Sequence, residues 1–276
     1  MVDTCGLIVV AVGPDGSPAA VSFGIDEAVR CGRGLHLVHA VDAAADEQTS
    51  RRRDEDAAWL LSAVGRLARQ QVADIVPVSA EAVVASPAEA VRRASAGASL
   101  VVLGRRARGL RGHHQLRSVT ERIPVHVTGP VVSVPDTWPQ VRTERLVVVG
   151  VDPADVSLEA LSEGFRAACS RDARLVLIVG TWPPSATDRP QPAGRVDEVA
   201  RAMRAWYDDV PVEVIKSPGS AVGALVAASY DANLVVMARR SAWRPTGMRV
   251  DPDVRPVLRD AVCPVLLSPD ETDWMA

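Results

Sequence analysis

Short, continuous apolar runs alternate along this chain with longer amphipathic stretches, and the alternation occurs twice. Leu7–Val12, Leu35–Val41, Val76–Ala82, Leu100–Gly104 and Val131–Val134 read as strands. An unbroken apolar run is what a parallel strand buried on both faces requires. Between them, Pro18–Cys31 carries Ala20, Phe23, Gly24, Glu27 and Ala28 at helical spacing. Asp46–Gln71 places Trp59, Leu60, Val64, Leu67 and Ala68 on one helical face. Pro87–Ala96 opens with Ser86-Pro87, a cap followed by proline at the first helical position. A short helix is expected near Ser118–Val127, weakened by Pro124.

The second set follows the same order. Its strands are Leu146–Val151, Leu175–Val179, Val212–Lys216, Leu234–Ala238 and Val265–Leu267. Its helices are Ser157–Arg171, Val196–Tyr207, Ser220–Ser229 and Val254–Ala261. Pro183, Pro184, Pro190 and Pro192 make Trp182–Gly194 a loop. Strands alternating with helices predict parallel sheets with right-handed crossovers.

The two sets are copies. Ala98-Ser-Leu-Val-Val-Leu-Gly-Arg-Arg106 matches Ala232-Asn-Leu-Val-Val-Met-Ala-Arg-Arg240, and Pro130–Asp136 matches Pro264–Asp270 at the same offset of 134 residues. Val10-Ala-Val-Gly-Pro-Asp15 pairs with Val147-Val-Val-Gly-Val-Asp152 at an offset of 137, which sets Asp152 opposite Asp15. Trp138 and Trp274 each follow the last strand of a copy. The unit is far longer than a solenoid repeat. It predicts two α/β domains, residues 1–138 and 143–276.

Composition narrows the function. The 276 residues carry a net charge of −3, which argues against a general nucleic-acid binder. No apolar run reaches the length of a membrane helix, and the first residues show neither a basic n-region nor a cleavage site. The four cysteines are scattered, which fits reduced thiols in a cytoplasm better than disulfides or structural zinc. The expected location is therefore cytoplasmic, with no membrane and no nucleic acid as partner.

The candidate chemistry lies after the fourth strand. Gly104–Arg122 holds three glycines, six arginines and one acid. A glycine-rich loop leading into a helix start offers backbone N–H groups and a positive dipole end to an anion. Arginine adds bidentate phosphate geometry. Arg105, Arg106, Arg108 and Arg111 read equally as a solvated loop or as an anion site. His113-His114 suits a solvated loop better than a metal, His36 and His39 suit strand positions, and Ser17 suits a turn and helix cap. The Arg51–Arg53 run beside Asp54-Glu55-Asp56 suits a solvated helix face. No Ser, His and acid constellation or Gly-x-Ser-x-Gly motif is visible.

The loop spacing resembles that of the universal stress protein family, whose nucleotide-binding members carry Gly-x-x-Gly, nine residues, then Gly-Ser or Gly-Thr. Laid on this chain, the motif falls on Gly104, Ala107, Arg117 and Ser118. The following Val119-Thr120-Glu121, the entry segment Gly13-Pro-Asp-Gly-Ser-Pro18, the strand Leu37-Val-His-Ala40 and the closing Pro130–Val134 also resemble the family. The resemblance implies doubly wound, five-stranded parallel sheets of order 3-2-1-4-5, with a ligand site between strands one and four. It implies a non-enzymatic stress or dormancy role through protein partners and a bound ATP, ADP or AMP in the first domain. The implied contacts are Gly13, Asp15 and Ala40 on the adenosine side, with Gly104, Ala107, Gly109, Gly112, Arg117, Ser118, Val119 and Thr120 around the phosphates. It also implies that the fifth strands pair the two domains as a pseudo-dimer, with a further homodimer open.

Departures from the motif make this site degenerate. Ala107 and Arg117 replace two motif glycines, and Arg117 either plugs the pocket or serves as a phosphate partner. Pro14 removes a backbone donor beside Asp15. In the second copy the loop reads Ala238-Arg-Arg-Ser241, then Asp251-Pro252, a carboxylate and an iminoacid better suited to capping a helix than to holding phosphate. Two alternatives stand beside the nucleotide reading: a nucleotide-independent scaffold, and an ATP-hydrolysing enzyme on the same fold.

Overall fold

The computed structural model describes residues 6–43, 46–105, 127, 129–139, 145–153, 155–181, 194–239, 241–242, 249–250 and 254–269. The chain divides into two compact units, Met1–Pro139 and Gln140–Ala276.

In the first unit, β1 (Ile8–Ala11) leads to α1 (Pro18–Cys31), β2 (Leu35–Val41), α2 (Glu47–Val72), β3 (Val78–Val84), α3 (Pro87–Ala94), β4 (Leu100–Arg105) and β5 (Val131–Pro135). The strands lie parallel in the order β3-β2-β1-β4-β5. The apolar runs pair with one another, so Val9, Val10, Val101 and Val102 are fully buried. Gly24 of α1 presses on the sheet so closely that a methyl there would stand 2.4 Å from Val10 Cγ2 and 3.4 Å from Leu35 Cδ1. On the opposite face α3 covers Val9, Val38, Val101 and Leu103. Side-chain caps start two helices: Asp46 accepts from the Thr49 N–H at 2.8 Å, and Ser86 from the Glu89 N–H at 3.4 Å. Gly32 ends α1 in the left-handed conformation that favours glycine.

The second unit repeats the plan with β6 (Leu146–Val151), α4 (Leu158–Arg171), β7 (Arg174–Thr181), α5 (Gly194–Arg204), β8 (Val212–Ser220), α6 (Ala221–Ala228), β9 (Leu234–Ala238), the two-residue strands β10 (Ser241–Ala242) and β11 (Arg249–Val250), α7 (Val254–Asp260) and β12 (Val265–Ser268). Its parallel order is β8-β7-β6-β9-β12, which is again third, second, first, fourth, fifth. A methyl at Gly164 of α4 would stand 2.2 Å from Val149 Cγ2, the same close approach of helix to first strand.

Four details depart from the sequence reading. The third strand begins at Val78 rather than Val76, because Pro77 has no N–H and contributes only its carbonyl, which accepts from Leu35 at 2.8 Å. Strand β8 runs on past Lys216 to Ser220 through an irregularity, where Thr181 pairs with Ser220. Strands β10 and β11, an antiparallel pair, carry no alternation that would have announced them.

The fourth departure concerns the offset between the copies. Ile8 lies beside Leu100 in the first unit, and Val147 beside Leu234 in the second. Leu100 and Leu234 are 134 residues apart (234 − 100), but Ile8 and Val147 are 139 apart (147 − 8). Matching Val10 with Val147 is thus two residues out of register. A two-residue slip keeps every side chain on its own face, so a valine-rich run does not betray it. The expected helix at Ser118–Val127, the Trp182–Gly194 loop and the Asp251-Pro252 cap lie, apart from Val127 and Gly194, outside the described residues.

Candidate functional site at the ends of the first and fourth strands

Winding reverses between β1 and β4, and their carboxyl ends lie side by side because Ala11 is in register with Leu103. Such a switch point is where doubly wound sheets hold ligands. Beyond Ala11 the chain makes a tight turn in which the Gly16 N–H donates to the Gly13 carbonyl at 2.9 Å. Pro14 at the second position and Gly16 at the fourth suit a common turn type. The Ser17 N–H donates to Asp15 Oδ1 at 3.1 Å, and the Gly13 N–H donates to Ser17 Oγ at 2.9 Å. A Cβ at Gly13 would meet Asp15 Oδ1 at 3.1 Å and Ser17 Oγ at 3.2 Å, a tight fit that would press on the bonds closing the loop.

Ser17 precedes α1 as expected but does not cap it. Its φ of 46° and ψ of 54° are left-handed, and its hydroxyl turns back to Gly13 instead of forward into the helix. For a non-glycine residue that conformation costs on the order of 1–2 kcal/mol. The three hydrogen bonds hold it. From β4, Gly104 reaches the same point: a methyl there would lie 3.7 Å from Ser17 Oγ and 3.6 Å from Ala20 Cβ. Gly13, Asp15 and Gly104 therefore meet around Ser17, whose part in the site the sequence did not disclose.

Ala40 lies on β2, one strand away. His39 beside it is tied by Nδ1 to the Val12 carbonyl at 2.7 Å, which joins the ends of β1 and β2. On the α3 side, Ala11, Ala40, Val83, Ala85 and Ala88 are only partly buried and form a shelf of small apolar side chains at the strand ends. Ala107, Gly109, Gly112, Arg117, Ser118, Val119 and Thr120 lie outside the described residues, as do Arg106, Arg108, Arg111 and His113-His114. Cys31 and Cys169 are free thiols, the Cys263 thiol donates to the Pro264 carbonyl at 3.3 Å, and the described residues hold no cluster of three metal-ligating side chains.

The second unit builds the equivalent place differently. The ladder register makes Asp152 the counterpart of Gly13, and position 154, an alanine outside the described residues, the counterpart of Asp15. The turns agree, since the Asp155 N–H donates to the Asp152 carbonyl at 3.1 Å where Gly16 bonds Gly13. Asp152 is therefore not a second copy of Asp15. Gly150 and Gly180 take the places of Ala11 and Ala40. A methyl on Gly180 would lie 2.9 Å from Ala221 Cβ, and one on Gly150 would lie 2.7 Å from Leu225 Cδ1. Helix α6 rests directly on the strand ends, with Ala221 and Leu225 fully buried. The shelf of the first unit is a packed contact in the second.

The universal stress protein family matches residues 6–135 and again 144–269. The crystal structure of a universal stress protein from Archaeoglobus fulgidus DSM 4304 is 16% identical, with 95% of this chain and 98% of that one covered at a TM-score of 0.67. A structure from Pseudomonas aeruginosa UCBPP-PA14 is 17% identical, with 98% and 96% covered at a TM-score of 0.61. A universal stress protein solved in complex with cAMP is 17% identical over 48% of this chain and 98% of its own, at a TM-score of 0.37. No curated protein sequence matches the chain. At these identities the solved structures speak for the α/β fold alone. The two family matches span both units, and the chain is a tandem member of the universal stress protein family.

Proposed function

We propose that this protein is a non-catalytic stress-response protein that takes an adenine nucleotide (ATP, ADP or AMP) in its first unit only, and acts through protein partners in the cytoplasm. The observation that carries this reading is the meeting of Gly13, Asp15, Ser17 and Gly104 at the switch point beside an open shelf, where the second unit is filled. The shelf suits a flat apolar ring, and Asp15 supplies a carboxylate for ribose hydroxyls. Gly104 leads into the segment containing Ala107, Gly109, Gly112, Arg117, Ser118, Val119 and Thr120, which in this reading receives the phosphates.

One observation favours the nucleotide-independent scaffold instead. The N–H groups of Gly13, Gly16 and Ser17 are all spent within the loop, and Pro14 has none, so the loop offers a ligand few backbone donors. Mass spectrometry of ligand released from the purified, denatured protein separates the two, together with calorimetric titration of the full chain with ATP, ADP and AMP. Binding that Asp15→Ala weakens tenfold or more supports the nucleotide reading. No released ligand and no heat with any of the three leaves the scaffold. Arg117→Gly then sorts plug from partner: a plug's removal tightens binding, and a partner's removal weakens it.

A further inference from the structure

His36 is the second residue of β2, fully buried, on the face covered by α3. Its Nδ1 is 2.9 Å from Ser79 Oγ on β3. Its Nε2 is also buried and has no hydrogen-bond partner among the described residues. Across from Nε2, at 3.9 Å, stands Glu81 Oε2, whose side chain is about one-third exposed. Among the described residues, the other neighbours bring no charge to bear. On β1 the residue in register is Val9, flanked by Ile8 and Val10. On α3 the ionisable groups are Glu89, about one-third exposed, and the exposed Arg92 and Arg93, both paired with Glu89 at 2.7 Å. Helices α1 and α2 pack on the other face of the sheet, where Gly24 meets Val10 and Leu35.

Among the described strands, β3 pairs with β2 alone. The contact of His36 with Ser79 and Glu81 therefore sits at the seam between an outer strand and the rest of the unit. We propose that His36, Ser79 and Glu81 form a proton-operated latch on this seam, in which uptake of one proton at His36 loosens β3 from the first unit. A neutral imidazole suits the site, since one nitrogen is bonded to Ser79 and the other is buried without a hydrogen bond among the described residues. A proton on Nε2 puts charge where water does not reach, with a single carboxylate beyond hydrogen-bond length to answer it. Burial holds His36 below its ordinary value of 6.5, and Glu81 opposes that shift without cancelling it.

The sign follows. The unfolded chain takes up the proton near pH 6.5 and the folded one only lower, so stability is lost as pH falls below 6.5 and levels off once folded His36 is charged. Hydrogen exchange of the full chain, corrected for intrinsic rates and followed from about pH 7.5 to pH 5.5, tests this. Protection of the Val78–Val84 amides is expected to fall by about tenfold per pH unit below 6.5, the slope of one proton. His36→Gln is expected to flatten the profile. If that variant does not fold, Glu81→Gln serves alone: without its countercharge the loss continues to lower pH than in the wild type. A flat wild-type profile overturns the latch, as does an unchanged slope in His36→Gln or a Glu81→Gln profile that superimposes on the wild type.

Discussion

The two units place small residues at the same pair of strand ends and put them to opposite uses. At Ala11 and Ala40 the methyl groups stand partly open beside α3. At Gly150 and Gly180 even a methyl would collide with α6, because Leu225 and Ala221 have come down onto the strands. Glycine in this fold family is easily read as a sign of a ligand brought close to the backbone. Here the glycines admit a helix, and the alanines stay partly exposed among the described residues. With no methyl at Gly150 or Gly180, the covering helix itself buries the strand ends of the second unit.

That contrast is open to direct attack. The largest effect is expected from Leu225→Ala, which should cost the second unit about 2–5 kcal/mol by the usual scale for a buried leucine. Denaturant unfolding checks it, and a cost below about 1 kcal/mol would mean that α6 is not packed on β6 as described. Next, Gly24→Ala and Gly164→Ala should each cost about 1–3 kcal/mol by overpacking, and by similar amounts, because the two collisions at 2.4 Å and 2.2 Å are alike. Unequal costs would mean that the units share a topology but not a helix-to-strand fit. Ala40→Leu should fill the open shelf and abolish nucleotide binding in calorimetry, while changing stability by less than about 1 kcal/mol at this partly buried site. Unaltered binding in that variant would move the ligand off the shelf.

The smallest effect belongs to the surface of α3. Arg92 and Arg93 hold the Glu89 carboxyl down from 4.5 to about 2. A depressed carboxyl contributes stability above its unfolded value, so the support given to α3 should fade as pH drops from 4.5 towards 2. Glu89→Gln should remove that part of the acid sensitivity. The pair is solvent-exposed, so the change should shrink further in high salt.

The strands and most helices were legible because burial on both faces leaves apolar runs that polar residues would interrupt. Leu35–Val41 and Leu234–Ala238 coincide with the structure to the residue. What stayed hidden was register. Val147-Val-Val matches the run that starts at Ile8 as well as it matches the one that starts at Val10. The hydrogen-bond ladder alone tells the two offsets apart, which is why the sequence by itself sets Asp152 opposite Asp15. Gly13, Asp15 and Gly104 were visible as a motif, but Ser17 reads in sequence like any serine before a helix. Its left-handed backbone depends on the partners it finds in the turn. The small-residue shelf was hidden for a related reason. Ala11 and Ala40 look like ordinary strand alanines, and only the height of the covering helix decides whether they are open or filled.

The contact of Gly24 with Val10 has a mechanical corollary. Since Cα meets side chain there with no methyl between, α1 can neither sink towards β1 nor roll across it without a clash. The segment between them, from Val12 to Ser17, is thus anchored to one stiff block at both ends, and the helix cannot give way to admit anything at the switch point. On the opposite face, α3 and the end of β2 meet through small, partly exposed side chains. In the first unit the sheet is therefore met at a fixed height by α1 on one face, while Ala11 and Ala40 on the other face stay partly exposed.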